Sequence, residues 1–157
     1  MDAPTVLVTR LDEQAPIPSY AHVGDAGADL ATMTDQVIDP GERIVTGTGI
    51  AVAIPEGYAG FVYPRSGLAA RHGLSIVNSP GVIDAGYRGE IKVCLINTDL
   101  RIPIHLKRGD LIAQMVIQAA PQAYFVEVEV LSDSERGTGG YGSSGGVAAW
   151  RSENGQE

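Results

Sequence analysis

Cysteine is all but missing from this chain. The one thiol, Cys94, rules out a disulfide within the chain and points to a reducing compartment. The three histidines, His22, His72 and His105, are scattered. No Cys/His spacing fits a zinc site, and each reads as structural. No apolar run approaches the ~20 residues that span a bilayer. The opening MDAPTVLVTR begins with an acid and lacks the basic-then-apolar order of a leader peptide. A soluble, cytoplasmic protein with no membrane partner is expected. Basic residues are outnumbered, 11 Lys and Arg against 19 Asp and Glu, for a net charge of −8. That sign repels a nucleic-acid backbone, so no nucleic-acid partner is expected. A small anion needs only a few local cations and stays possible. No G-x-S-x-G elbow or comparable nucleophile signature is present.

What is there is β-rich, and 157 residues are enough for one domain with a real core. Thr5 to Arg10, Arg43 to Ile54, Tyr58 to Tyr63, Glu90 to Ile96, Ile102 to Leu106, Leu111 to Ile117 and Tyr124 to Leu131 all read as strands. Gly47 and Gly49 mark a bulge or a close backbone approach in the second of these. The one convincing helix follows Pro64. Ser66 reads as its N-cap and Gly73 as its stop. Its first turn, with Arg65 and the Ser66 hydroxyl, suits a phosphate or is a plain connector, and both readings stand. DAGADL at 25–30 puts Asp25 and Asp29 four apart in what reads as a polar loop. It lacks the acid rhythm and closing Glu of an EF-hand. Gln114 is one amide in an apolar run, so it either pairs with main chain or reaches a ligand.

From Ser132 the composition shifts to Gly, Ser and charge, giving a β core over 1–131 and a flexible arm over 132–157. Gly137 to Gly142 matches G-x-G-x-x-G by letter, but no helix pattern follows, so a dinucleotide loop fails on context. A glycine nest over phosphates beside Arg136, or a plain tail, remains. The densest stretch is NSPGVIDAGYRGEIK at 78–92. It sets a lone acid, Asp84, and an aromatic, Tyr87, among turn residues just before a strand. It reads as a narrow hairpin, either an ordinary one or the wall of a rigid small-molecule pocket.

Taken together, five stretches resemble the trimeric dUTPases (deoxyuridine 5′-triphosphate nucleotidohydrolases). They are DAGADL at 25–30, PRSGLA at 64–69, NSPGVIDAGYRGEI at 78–91, RGDLIAQ at 108–114 and RGTGGYGSSG at 136–145. Each is weak alone. Their order and spacing over nearly the whole chain are specific. The resemblance implies an all-β, jelly-roll-like sandwich or barrel (a dUTPase-like β-clip) with one short helix. It implies a homotrimer with sites between subunits, each closed by the glycine-rich arm. It implies hydrolysis of dUTP to dUMP and pyrophosphate with Mg²⁺, which keeps uracil out of DNA and supplies dUMP for thymidylate synthesis.

The family's roles carry over residue by residue. Asp84 matches the acid that orients the attacking water and holds the sugar 3′-hydroxyl. Tyr87 matches the ring that packs under deoxyribose. Asn78 and the main chain from Val82 and Ile83 to Lys92 match the uracil-reading segment. Arg65, Ser66 and Gly67 match the phosphate-binding turn, with Gln114 on the phosphate side. Asp29 matches an acid that holds waters of the Mg²⁺ shell, with Asp25 as a further metal-side acid. Arg136, Tyr141, Gly142 and Ser143 match the closing arm, with Tyr141 in place of the usual Phe. A related enzyme on the same fold, dCTP deaminase, is the alternative, alone or as a bifunctional deaminase-dUTPase. Its catalytic glutamate falls at Cys94 here, and a thiol in a strand cannot do that acid/base work in the same way.

Overall fold

Residues 3–139 are described in a computed structural model. Along the chain run β1 (Leu7–Arg10), β2 (Ala28–Ala31), β3 (Gln36–Ile38), β4 (Arg43–Ala53) and β5 (Tyr58–Tyr63). Then come α1 (Ser66–His72), β6 (Leu74–Ile76), β7 (Gly81–Ile83), β8 (Glu90–Asn97), β9 (Ile104–Leu106) and β10 (Leu111–Ala119). One sheet is ordered β1-β4-β8-β6, a second β2-β10-β5-β7, and β3 pairs with β9. Every strand pairing among the described residues is antiparallel.

Alternation explains the layers. In β8, Ile91, Val93, Leu95 and Asn97 are buried while Lys92 faces out. Successive side chains of a strand point to opposite faces, so one face of β8 supplies core. Ile112, Ala113 and Met115 of β10 and Val62 of β5 belong to the same buried cluster as Ile91, Val93 and Leu95. The two larger sheets thus share one apolar interior, the sandwich that the resemblance implies. Among the described residues, Thr32, Thr46, Thr48 and Asn97 are the buried polar side chains, and Asn97 carries an amide. Its amide donates to the carbonyls of Ile38 at 3.0 Å and Ile102 at 2.9 Å, which ties β8 to the end of β3 and to the segment just before β9.

The bulge in β4 forms as its glycines predict. The register runs Gly47 opposite Lys92, then Ala51 opposite Glu90, so Thr48, Gly49 and Ile50 stand across from Ile91 alone. Gly49 has φ +68, a backbone state that a side chain resists. The Thr48 hydroxyl donates to the Ile91 carbonyl at 2.7 Å, satisfying a group that the ladder leaves free.

Four expectations change. The N-cap of α1 is Arg65, extended and with no side-chain cap, so Ser66 is the first helical residue. Gly73 does end the helix, in the left-handed conformation. DAGADL is not all loop: Ala28 to Asp29 opens β2, because Ala28 and Leu30 find buried places beside β10. The 78–92 stretch is not a hairpin. β7 pairs with β5 and β8 with β4 and β6, so the turn between them crosses from one sheet to the other. Finally, 124–131 is not a strand in the described residues. Its alternation is sound, but a strand needs an edge to pair with, and Tyr124 and Phe125 are 98% and 96% exposed.

The chain divides into two units, Met1–Gln122 and Ala123–Glu157. The first carries every helix and strand named above. In the second, the described part holds a turn in which the Gly137 N–H donates to the Ser134 carbonyl at 3.0 Å. There the Arg136 Nε donates to the Gly139 carbonyl at 2.9 Å. Tyr141, Gly142 and Ser143 lie outside the described residues.

Arg108 fastens the chain ahead of β10. It forks onto Asp12 at 2.8 and 2.7 Å and donates to the Met33 carbonyl at 2.7 Å, while its N–H reaches Asp35 at 2.8 Å. The Arg108 side chain holds the Asp12 carboxyl below the ordinary value of 3.8, and the Arg108 N–H and Lys107 do the same for Asp35. The N–H groups of Arg101 and Ile102 lower Asp99 likewise. A carboxyl lowered in the folded state adds stability above its unfolded pKa and loses it as pH falls through the folded one. Melting temperature is therefore expected to hold above pH ~4 and to drop below it. Arg108→Ala should lower the plateau by a few degrees and shrink the acid drop, which a pH series of thermal melts would read.

Candidate functional site

β10 is the spine of the site. It lies between β2 and β5, so Gln114 has Asp29 across on one side and Tyr63 across on the other. Pro64, Arg65 and Ser66 follow Tyr63 directly. Three segments far apart in sequence therefore meet at one sheet position. The Gln114 amide donates to the Pro64 carbonyl at 2.9 Å. Of its two open readings, the main-chain one is realised, and the side chain still lines the cleft. A Cβ at Gly27 would collide with the Gln114 amide oxygen, which explains the glycine there.

Arg65 and Asp29 form a close ion pair, Nε to Oδ1 2.9 Å, with a longer contact of 3.4 Å from the second nitrogen. Arg65 also reaches the Leu111 carbonyl at 3.4 Å. Asp25 accepts the His22 N–H at 2.8 Å, with the His22 ring 3.5 Å away. These groups, with Ser66, Gly67 and Gln114, line an open cleft of about 510 Å³. Arg71, which the sequence analysis did not single out, and His72, which it read as structural, also line it. They come from the last turn of α1, and only the way that short helix lies against the sheet shows which wall they form.

The second group is carried by the β7–β8 crossover. A backbone bond of 3.0 Å from the Tyr87 N–H to the Asp84 carbonyl closes a turn over Ala85 and Gly86. Arg88 braces it by donating to the carbonyls of Ala85 at 2.6 Å and Tyr87 at 2.7 Å. The Tyr87 hydroxyl donates to the Glu90 carbonyl at 3.0 Å. A Cβ at Gly89 would run into the Tyr87 phenol, so glycine serves close approach there. Asp84 lies on the rim of a cavity of about 670 Å³ with Glu56, Tyr58 and Gln122. Those three are brought in by the β5 end of the second sheet, a neighbourhood with no local sequence signal.

A third, smaller cavity of about 90 Å³ is lined by Asn78, Val82, Ile83, Lys92 and Cys94. β7 is the edge of its sheet, so one row of its backbone N–H and C=O groups is left without a ladder partner. Such an edge can read a planar ring by hydrogen bonds. Lys92 sits 3.7 Å from Glu90.

The sequence-expected residues therefore fall into separate places. Asp25, Asp29, Arg65, Ser66, Gly67 and Gln114 share one cleft, Asp84 another, and Asn78, Val82, Ile83 and Lys92 a third. None of these cavities joins Asp84 to the Arg65 group. Arg136 is exposed in the second unit.

For a metal, the donor chemistry is hard oxygen: the carboxylates of Asp25 and Asp29. Among the described residues no group of three or more His, Cys, Asp or Glu converges on one point. Two carboxylates are the kind of donor that a hard cation such as Mg²⁺ prefers, directly or through its waters. No helix among the described residues is long and apolar enough to cross a membrane.

Comparison with known proteins matches these features to one family. The dUTPase family model matches residues 13–145. A deoxyuridine 5′-triphosphate nucleotidohydrolase of Thermobifida fusca (strain YX) is 64% identical over 144 residues, covering 92% of this chain and 80% of its own. That of Corynebacterium glutamicum is 59% identical over 147 residues, covering 94% and 99%. Among solved structures, the dUTPase of Staphylococcus bacteriophage 80alpha with dUpNHpp has a TM-score of 0.84 at 32% identity, covering 90% of this chain and 98% of that one. A mutant dUTPase from phage phi11 of S. aureus, described for its coordination of a structural Mg(II) ion, has a TM-score of 0.75 at 31% identity, covering 82% and 99%. Sheet order, the Gln114–Asp29–Arg65 meeting point and the Asp84–Tyr87 turn thus lie on a chain that belongs to the dUTPase family.

Proposed function

We propose that this chain hydrolyses dUTP to dUMP and pyrophosphate, as a homotrimer whose sites form between subunits. The observation that carries the reading is the Asp84–Tyr87 turn, an acid and an aromatic locked together by a 3.0 Å backbone bond on a braced crossover. A water is aimed at the α-phosphorus by the Asp84 carboxylate. As its oxygen bonds to phosphorus, its proton passes to Asp84 and the bond to the β-bridging oxygen breaks, releasing pyrophosphate. Arg65 and the Ser66 hydroxyl meet the charge that gathers on the departing oxygens. To do so Arg65 exchanges part of its pairing with Asp29 for phosphate. Asp29, with Asp25 beside it, would hold waters of a substrate-bound Mg²⁺, which neutralises phosphate charge. Tyr87 packs under the sugar, where a 2′-hydroxyl would collide. Uracil enters the small cavity, its carbonyls and N–H read by the free edge of β7 and the Asn78 amide.

Separate cavities for Asp84 and Arg65 in one chain support assembly from more than one subunit. The exposed apolar residues Tyr124, Phe125, Val126, Val130 and Leu131 give that assembly a surface to bury. In this reading the core runs through residue 131, and the arm from 132 brings Arg136, Tyr141, Gly142 and Ser143 over the bound nucleotide. The free, half-buried Cys94 accords with a cytoplasmic setting. Cys94 also weighs against deamination, because the strand position that lines the base cavity offers a thiol and not a carboxylate. The test is product release from dUTP, UTP, dTTP and dCTP with Mg²⁺. Pyrophosphate from dUTP far above the other three supports the reading. Ammonia from dCTP, or equal turnover of UTP, contradicts it.

A further inference from the structure

Glu90 is the residue where the Tyr87 turn and the β4 bulge meet. Its side chain is 28% exposed, and Oε1 accepts the Gly49 N–H at 3.0 Å. That N–H belongs to the bulge, where Gly49 has turned out of the ladder into the left-handed conformation. The carboxylate lies over Gly47 so closely that any Cβ there would collide with Oε1. Gly49 is itself fixed on its other side, its carbonyl accepting the N–H groups of Leu11 at 2.8 Å and Asp12 at 3.1 Å. Glu90 is thus anchored to rigid sheet through its side chain. Through its backbone it does something different: its carbonyl accepts the Tyr87 hydroxyl at 3.0 Å. The ring's polar tip is therefore held by a residue whose own position is set by the bulge.

We infer that Glu90 is a positioning residue for sugar selectivity, holding the Tyr87 ring at a fixed height through the Gly49 bulge. The inference rests on the reading above that Tyr87 packs under the sugar. Glu90 touches no reacting atom in this account. Its effect reaches substrate only through the ring. Removing the carboxylate leaves a partly buried N–H on Gly49 without its acceptor and frees the start of β8. The ring can then drop, and ribose gains the space that the phenol denied it. Glutamine keeps the acceptor oxygen at the same reach, so Glu90→Gln should preserve the arrangement. Tyr87→Phe cuts the same link from the other end and leaves Gly49 satisfied.

The experiment measures kcat/KM for dUTP and UTP on full-length parent, Glu90→Ala, Glu90→Gln, Tyr87→Phe and the Glu90→Ala/Tyr87→Phe pair, with Tyr87→Ala as reference. Glu90→Ala and Tyr87→Phe are each expected to raise the UTP/dUTP ratio about five- to tenfold, the net worth of one hydrogen bond. The double variant should go no further than either single, because both break one chain of contacts. Glu90→Gln should stay within about twofold of parent in the ratio, and kcat for dUTP should change little in the two Glu90 single variants. A merely structural Glu90 would lower the melting temperature without moving the ratio. Should Glu90→Ala fail to fold, Tyr87→Phe compared with Glu90→Gln decides. The two failures are distinct. If Tyr87→Ala leaves the ratio unchanged, the sugar role of Tyr87 falls and the inference falls with it. If Tyr87→Ala raises the ratio while Glu90→Ala and Tyr87→Phe do not, the role of Glu90 alone is overturned.

Discussion

Asp84→Asn is expected to leave folding, assembly and dUTP binding nearly as in the parent and to cost about 10²–10⁴-fold in kcat, the usual worth of a general base. The reason is local. Asp84 is exposed, and its place in the fold is set by its backbone carbonyl, which accepts the Tyr87 N–H at 3.0 Å. An asparagine keeps that bond, the turn and the side-chain shape. What it loses is the capacity to take a proton from water. The loss should therefore appear in kcat and kcat/KM together, the pattern of a contact made only in the transition state. Titration calorimetry with a non-hydrolysable analogue such as dUpNHpp would show binding retained. An Asn variant that turned over like the parent at the same Mg²⁺ concentration would remove Asp84 from the mechanism.

The Asp84 turn also shows what the sequence can and cannot say. The letters around it are sufficient to mark a turn, since Ala85-Gly86 follows an acid and Gly89 follows Tyr87-Arg88. They are also sufficient to mark β8, whose burial alternates strictly over Ile91, Val93 and Leu95. They do not say which strand β7 pairs with. Turn chemistry is local, whereas the pairing of β7 with β5 joins segments separated in the chain by a helix and another strand. Hence a hairpin is the natural reading of 78–92, and a sheet-to-sheet crossover is the fact. β2 was hidden for a related reason. A strand of four residues with an acid in it, Ala28–Ala31, has little pattern of its own, and β10 supplies its order by pairing. The opposite error arises at 124–131, where a clean alternation meets no strand partner in the described residues. Arg65, Asp29 and Gln114 could be named from motifs. Their meeting, through a strand that pairs on both sides, is a property of topology.

Removal of residues from 133 onward is expected to lower kcat by about 10²-fold or more, the scale for losing donors to developing charge, while dUTP binding weakens less. Among the described residues the unit Met1–Gln122 holds all the regular structure and the buried cluster, so the truncated chain is expected to fold. What goes is Arg136, the glycine run and Tyr141. Ordering such a segment over a ligand costs about 1–2 kcal/mol per residue fixed, which only strong contacts to the triphosphate can offset. The arm should accordingly contribute most where phosphate charge is greatest, in the transition state, and little to ground-state affinity. Rapid-mix single-turnover kinetics on the truncated chain would separate the two. Parental single-turnover rates without residues 133–157 would show that the arm is no lid.

Asp84 and Arg65, in separate cavities of one chain, are expected to act together across a subunit boundary. The most direct test mixes two inactive proteins. Arg65→Ala chains and Asp84→Asn chains are co-refolded, and mixed trimers are verified by native mass spectrometry. In a cyclic trimer, random assortment at equal amounts gives about a quarter of sites with both native residues, so about a quarter of parental activity is predicted. Mixed trimers that stay as inactive as either parent protein would show that the two residues serve a site within one chain, and would contradict the account.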